Sequence, residues 1–455
     1  MKLSFYLLMM LALFAMPHRA TAQVPFATSA YLTNGDFVTS ATTADVNGDG
    51  YPDLISAYYS ATGSSYVCVW TNNGSGLFVS NASYTVGAFP HQVITADVNN
   101  DGWPDLITAN INSGSLTVLT NDGHGNFALS ATLLDPSSPQ GLISVAAADL
   151  FGRGRMDLIG ANLSSGFFTI WTNSGGGMFG LYGALVAPSN GPRDVTTADI
   201  NGDGKPDIIG VANQVNTTPY LDIWTNNGAG GFAAAAAPTL PNGEVFKFVA
   251  VDVNGDGKRD LIFAYANNGS IVVLTNDGTG AFALSGSYPV GKEPLAIVAA
   301  DVNGDGAVDL VSANRGDTLT VLTNNGGGIF SSNATLNMNS GSMSNPPVSS
   351  FAEPLATADI NGDGMIGLIG GNFNPGTLTV FTNAVTNLPS LLLTQSGTNF
   401  IVSWPAIWAN WTLQQNTDLS QGSWTSNSGT VGNDGVNMRL TNSSSTGNLF
   451  FRLMQ

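Results

Sequence analysis

The chain has 455 residues, 43% of them hydrophobic, which is ample for a large core, but only 10% are charged and 55 are glycine. Lys and Glu are scarce while Thr, Val, Asn and Gly abound, so strands and turns are expected rather than exposed helices. A formal charge of −18 without any basic patch argues against nucleic-acid binding, and a single cysteine, Cys68, excludes an internal disulfide.

Met1 to Ala22 reads as an export signal. Lys2 supplies the positive end, Leu3 to Met16 the apolar stretch and Ala20-Thr21-Ala22 a small-residue cleavage site. The mature chain is then expected to start near Gln23 and to be secreted or held at the cell surface. The apolar stretch is too short to span a bilayer comfortably, and no later segment is long enough, so no membrane span is expected.

The chain then states a nine-residue stretch, Asp45-Val46-Asn47-Gly48-Asp49-Gly50-Tyr51-Pro52-Asp53, and keeps restating it. Oxygen side chains stand at positions one, three, five and nine. Gly stands at position six, and position seven can offer its carbonyl. A hard cation such as Ca²⁺ takes several oxygens on a tight loop in this order.

Four further copies are intact: Asp97, Asn99, Asp101, Trp103 and Asp105; Asp199, Asn201, Asp203, Lys205 and Asp207; Asp252, Asn254, Asp256, Lys258 and Asp260; Asp301, Asn303, Asp305, Ala307 and Asp309. About five structural Ca²⁺ sites are therefore expected. Two copies are damaged. In the third, Arg153 replaces the central Asp between Asp149 and Asp157, and its guanidinium is expected to pair with both in place of the metal. The seventh keeps Asp359, Asn361 and Asp363 but has Gly367 at position nine, which leaves a weak or empty site.

The seven loops hold 19 of the 31 acidic residues, so bound Ca²⁺ would offset most of the charge imbalance. Three carboxylates on one tight loop repel by roughly 1–4 kcal/mol per pair. A helix-flanked Ca²⁺ loop would need a Glu at position twelve; that position is Ser56, and both flanks read as strands.

The loops recur with a period near fifty residues. Each is preceded by a short apolar strand, such as Val93 to Ala96, and followed by a second, such as Leu106 to Ala109. A third follows, such as Leu116 to Leu119, then an Asn-Gly or Asp-Gly hairpin turn, then a fourth strand running on from a Phe. Four antiparallel strands repeated seven times describe the blades of a β-propeller. A solenoid would need polar caps at each end.

The seventh repeat ends at Asn387 without a fourth strand. Phe26 lies 19 residues before Asp45, the spacing of Phe78 to Asp97 and of Phe282 to Asp301. The N-terminal strand is thus in register to complete the last blade. The expected class is all-β: a seven-bladed β-propeller over 23–387 closed by an N-terminal strand, followed by a small β-sandwich over 388–455. In that tail Trp404, Trp408, Trp411 and Trp424 cluster among alternating runs, as core rather than as a sugar platform.

The repeats resemble the FG-GAP/VCBS family, the propellers of integrin α subunits and of many secreted bacterial proteins, over roughly residues 24–387. The resemblance implies a metal loop joining the first two strands of each blade on the lower face. It also implies a ligand face on the opposite rim, built by fourth-to-first and second-to-third connections.

Catalytic sets are sparse. His18 leaves with the signal, and His124 sits in a turn. His91, Arg193, Lys247, Lys292, Glu244, Glu293 and Glu353 fall on fourth-to-first connections, with Phe89, Phe246 and Phe248. Such a rim suits a sugar or a protein loop. The connection from Phe330 to Asp359 is the longest, and its insertion, Asn337 to Ser350, is a further ligand candidate. Cys68 reads as a small buried hydrophobe.

The expected function is non-catalytic binding or adhesion to an extracellular carbohydrate or protein, by a monomer. The alternatives are a lyase-like polysaccharide enzyme, which needs a base and a cation converging from His91, Arg193, Lys247 or Lys292, and a structural or assembly module anchored by its tail.

Overall fold

The computed structural model describes residues 24–60, 62–187, 191–213, 218–338, 354–372 and 376–383, and within the tail 392–396, 399–405, 412–416, 425–426, 431–433, 437–443 and 450–454. The expected export signal, Glu353, all but the first two residues of the long insertion, Trp408, Trp411 and Trp424 lie outside the described residues.

Residues 26–383 form seven four-stranded antiparallel sheets of the kind that make propeller blades. In order, the first sheet holds Phe37–Ala44, Asp53–Tyr59, Ser65–Asn72 and Phe78–Thr85. The second holds Pro90–Ala96, Asp105–Asn110, Ser115–Asn121 and Phe127–Leu134. The third holds Leu142–Ala148, Asp157–Asn162, Phe167–Asn173 and Phe179–Val186. The fourth holds Pro192–Ala198, Asp207–Ala212, Tyr220–Asn226 and Phe232–Ala234. The fifth holds Val245–Val251, Asp260–Tyr265, Ser270–Asn276 and Phe282–Pro289. The sixth holds Pro294–Ala300, Asp309–Asn314, Thr318–Asn324 and Phe330–Asn337. The seventh holds Leu355–Ala358, Gly367–Asn372 and Thr377–Asn383, with Phe26–Thr33 paired to its third strand, Phe26 opposite Asn383 and Thr33 opposite Thr377.

Burial follows strand position. Every residue of Asp105–Asn110 is buried, as in the other second strands from the third sheet onward, because neighbouring sheets cover both faces. Fourth strands alternate between half-buried and exposed, the pattern of an edge with one face wet. The cores are Val, Ile and Leu from facing sheets, such as Ile107, Leu116 and Val118 against Leu142, Val145 and Leu158. Fully burying each such side chain contributes about 1.5–3 kcal/mol. The fourth strand of the fourth sheet stops at Ala234, where an alanine run followed by Pro238 offers neither β-branching nor a donor for the ladder.

One register recurs. The last residue of each first strand pairs with loop position nine: Ala44 with Asp53, Ala96 with Asp105, Ala148 with Asp157 and onward to Ala358 with Gly367. The nine-residue stretch is therefore the corner between first and second strands.

First strands begin earlier than the apolar runs suggest. Pro90 pairs with Asn110 across a bulge before Gln92, and the first strands of the fourth and fifth sheets start likewise at Pro192 and Val245. His91, Arg193 and Lys247 consequently sit within strands, not on the connections where their polarity suggested they belonged.

The tail forms two smaller sheets. One orders Leu392–Ser396, Asn399–Pro405, Asn437–Ser443 and Val431–Asn433; the other orders Thr425–Ser426, Thr412–Asn416 and Phe450–Met454. Val402, Trp404, Leu413 and Leu440 form a separate buried cluster there.

Candidate functional site

Each acidic corner is folded around its own side chains. In the first loop the Gly48 and Gly50 N–H groups donate to the two oxygens of Asp45, at 2.7 and 2.9 Å. The Asp49 N–H donates to Asn47 Oδ1 and the Tyr51 N–H to Asp49 Oδ1, both at 2.9 Å. The turn needs a left-handed residue at position four: Gly48 has φ 76°. Asn100 takes this conformation in the second loop at φ 61°, as Asn tolerates better than most side chains.

Position nine is the buried end. Asp53, Asp105, Asp207, Asp260 and Asp309 are each 0% exposed. Asp53 accepts the Val46 N–H at 3.2 Å and the Asn72 N–H at 2.8 Å, and Asp309 accepts Val302 and Asn324 in the same way. Burial pushes the Asp53 carboxyl up to about 6 and Asp309 up to about 7; the backbone donors oppose the shift, and the neighbouring loop carboxylates add to it. Among the described residues no Lys or Arg lies within ion-pair distance of these five carboxylates.

The third loop differs where a cation is concerned. The Arg153 guanidinium reaches the equivalent buried carboxylate, Asp157, at 2.8 Å and rests on the Phe151 ring at 4.6 Å. It does not pair with Asp149 as well. Both Asp149 oxygens are already taken by the Arg153 and Gly154 N–H groups, at 2.8 and 2.6 Å, the same backbone wrapping that the intact loops use.

One loop thus places a cation of its own against the buried carboxylate. The five intact loops present Asp, Asn, Asp, a position-seven carbonyl and Asp, an all-oxygen donor set that fits a hard divalent ion. In the seventh loop Gly367 brings no carboxylate, and a Cβ there would meet Ile360 Cδ1 at 2.6 Å. Lys205 and Lys258 keep their side chains on the exposed edge, over the turn glycines Gly228 and Gly278.

A second set of residues escaped the reading of the sequence. Each third strand ends in Thr-Asn, and each of those asparagines is buried. Asn121 Nδ2 donates to the Val46 carbonyl of the preceding loop at 2.9 Å. Asn173 reaches Val98, Asn226 reaches Leu150, Asn276 reaches Ile200, Asn324 reaches Val253 and Asn383 reaches Val302. The set includes Asn72 to Ile360, from the first sheet to the seventh, at 2.7 Å. The sevenfold Thr-Asn was the available signal, but with a Gly two residues on in six of the seven copies it passes for turn chemistry alone.

First strands of all seven sheets border one cavity of about 390 Å³. Asp194 is its centre of polarity. It accepts Lys247 Nζ at 2.6 Å, the Ser144 hydroxyl at 2.7 Å and the Phe248 N–H at 3.3 Å, tying three successive sheets together. His91 lines the same wall. Burial first, then the positive charges of Lys247 and Arg193, push its imidazole down to about 3 against the backbone of Ile143.

The cavity thus gathers His91 and Lys247, with Arg193 close enough to act on His91. Lys292 and Glu293 stand elsewhere, in an exposed group where Glu293 pairs with Arg315 and, at 3.6 Å, with Lys292. In its turn, the His124 N–H donates to Asp122. Cys68 is buried between Asn34 and Ser83.

These corners and blade-like sheets define a repeat protein of the β-propeller type. The family described as FG-GAP-like repeat matches residues 45–108, 97–160, 151–210, 252–312 and 301–370, more than half of the chain, and the chain belongs to that family. No curated protein matches it. Among solved structures, BBS1N in complex with ARL6DN aligns with a TM-score of 0.56 at 12% identity over 80% of this chain and 98% of that one. A protein from Lactobacillus plantarum aligns with a TM-score of 0.50 at 14% identity over 68% of this chain and 86% of that one. At such identities the likeness concerns the fold. No helix among the described residues is long and apolar enough to cross a membrane.

Proposed function

We propose that this chain is an exported, Ca²⁺-stabilised, seven-bladed propeller, closed by its N-terminal strand, that binds an extracellular carbohydrate or protein without turning it over. Residues 388–455 are read as a second, smaller β module, and the protein as a monomer. The observation that carries the metal reading is Arg153 on Asp157, a built-in cation in the loop that lost its central carboxylate. Asp45, Asn47, Asp49, the Tyr51 carbonyl and Asp53 would hold the ion in the first loop, with their counterparts in the other four. The ion would neutralise a buried cluster of like charges and hold the corner rigid.

Ring closure is supported by the pairing of Phe26 with Asn383 and by the bond from Asn72 to Ile360. In a closed ring no sheet edge is left open between the ends of the chain.

The metal would act at a distance from any ligand. His91 opens a strand whose far end meets the loop at Asp97; at about 3.3 Å per residue the two lie about 20 Å apart. The ion therefore serves the scaffold, and the cavity end of the first strands serves the ligand. BBS1N, of similar fold, was crystallised with a protein partner, which is in keeping with a binding role for this one.

A lyase-like reading gains from the approach of His91, Arg193 and Lys247. It loses because a histidine pushed down to about 3 is a weak base near neutral pH, and Asp194 is already committed to Lys247. Arrays of glycans and extracellular proteins, screened with Ca²⁺ and with chelator, test the proposal. Calcium-dependent capture without product is expected. Turnover of a captured glycan, or capture and melting indifferent to chelator, would overturn it.

A further inference from the structure

We propose that Lys205 and Lys258 divide the five expected Ca²⁺ sites into two classes. The first, second and sixth loops are the tight sites; the fourth and fifth are weaker, the last to fill and the first to empty. The proposal rests on the calcium reading above and deepens it from a fixed brace to a graded one.

Position seven gives its carbonyl to the donor set, so its side chain can differ from loop to loop. That side chain lies over the turn between the third and fourth strands. A Cβ on Gly74 would meet the Tyr51 ring at 2.4 Å, and one on Gly123 the Trp103 ring at 2.5 Å. On Gly228 and Gly278 it would meet the stems of Lys205 and Lys258, at 2.7 and 2.8 Å. A lysine packed along its stem keeps its ammonium beside the loop.

There the ammonium meets a donor oxygen. Position five uses one carboxylate oxygen for the position-seven N–H. In the first, second and sixth loops its other oxygen accepts a neutral amide: Asn47 to Asp49 at 3.1 Å, Asn99 to Asp101 at 2.7 Å and Asn303 to Asp305 at 2.9 Å. Among the described residues no Lys or Arg lies within ion-pair distance of these three carboxylates. In the fourth loop Lys205 Nζ stands on that oxygen of Asp203 instead, at 3.3 Å. In the fifth the two donors share it, with Asn254 at 3.3 Å and Lys258 Nζ at 3.8 Å from Asp256.

An ion that draws on position five thus competes with a positive charge in two loops and with an amide in three. The ammonium also repels the ion itself. These side chains are 35–41% exposed, so water screens the effect. A weakening of about fivefold per site is expected, the scale of an exposed ion pair.

The third loop ends the same series, with a guanidinium on position nine. The chain has no Lys or Arg from Ala20 to Gly152 or from Gly316 to Met438, so the cationic corners are three neighbours. The first strands of the fourth and fifth sheets run from the cavity, where Asp194 of one holds Lys247 of the other, to the two weak corners. Calcium at a level between the two classes leaves the corners of these strands unbraced while those of the first, second and sixth sheets are held.

The test is hydrogen exchange of the metal-stripped full chain as CaCl₂ is added in steps. Residues 199–207 and 252–260 are expected to gain protection at about fivefold higher Ca²⁺ than 45–53, 97–105 and 301–309. Lys205→Met with Lys258→Met keeps both stems without their charge, and should bring the late segments to the calcium level of the early three. Ala307→Lys places a lysine stem over Gly326, where the space is open, and should move 301–309 into the late group. Protection of all five segments at one calcium level in the parent overturns the proposal while leaving a calcium-braced protein. A late pair that the double variant does not advance also overturns it, as does Ala307→Lys without delay. If no segment responds to Ca²⁺, the calcium reading itself fails and takes this proposal with it.

Discussion

Asn72 donates its side-chain N–H to the carbonyl of Ile360, 288 residues further along the chain, at 2.7 Å. The same asparagine offers its backbone N–H to Asp53 and a second side-chain N–H to Pro52. One buried residue thus ties its own corner to itself and to the corner of the seventh sheet. Removing its side chain leaves the Ile360 and Pro52 carbonyls each short of a donor, while the backbone N–H to Asp53 stays.

Asn72→Ala is therefore expected to destabilise the protein by about 1–3 kcal/mol, the cost of leaving a buried polar group unsatisfied. Asn173→Ala removes the equivalent bond between the third and second sheets and should cost a similar amount. Thermal melts of both, in Ca²⁺, check this. If Asn72→Ala melts with the parent while Asn173→Ala does not, the first and seventh sheets are not held by that bond in solution.

The proposal that the intact corners hold Ca²⁺ predicts a melting point that depends on a divalent ion. Chelator is expected to lower the melting temperature, and titration of stripped protein to take up about five Ca²⁺. Asp309→Asn removes a charge from a carboxylate already pushed up to about 7 by burial. It should weaken one site and leave the uptake of the others unchanged, since each donor set is local. Uptake unchanged in number and affinity would separate Asp309 from the metal.

Arg153 provides a gain-of-site test. Arg153→Ala alone leaves Asp157 buried without its cation. The expected cost is about 1–3 kcal/mol, discounted because the arginine side chain is itself 39% exposed. Phe151→Asn with Arg153→Asp restores the donor order of the five intact loops, and the double variant should bind one Ca²⁺ more than the parent. An unchanged count, with the variant folded, would mean that the donor order does not suffice for a site.

The corners, the four-strand period and the register of Phe26 were legible because each rests on spacing, and spacing survives in one dimension. Asp53 is oxygen position nine in the sequence and the buried end of a corner in space; nothing intervenes between the two descriptions. Asn72, Asn121 and Asn173 were not legible, because their partners lie in another repeat and an Asn two residues before Gly already has a turn to explain it. His91, Arg193 and Lys247 were singled out for their charge but placed on connections. Apolar runs under-report a strand whose first residues face a central cavity, where polar side chains carry no penalty if they are paired. Lys292 was grouped with them by its position in the repeat, yet it stands exposed beside Glu293, since repeat position sets the height along a strand but not the side chains met there.

His91 links the cavity to acidity. Its imidazole is pushed from its ordinary range near 6.5 down to about 3, by burial first and then by Lys247 and Arg193. The unfolded chain takes up a proton near 6.5, whereas the folded protein refuses it until about 3. Between those values the unfolded state binds more protons, so His91 makes folding less favourable as the pH falls from 6.5 toward 3, and contributes nothing to the slope above about 7. His91→Gln keeps a polar side chain without that proton. At fixed, saturating Ca²⁺ the variant should gain stability relative to the parent as the pH drops from 7 to 4, and the difference should be flat from 7 to 8. Urea unfolding of both at half-unit steps reads this directly. A difference that stays constant from 8 to 4 would place His91 in contact with water rather than in the wall of the cavity.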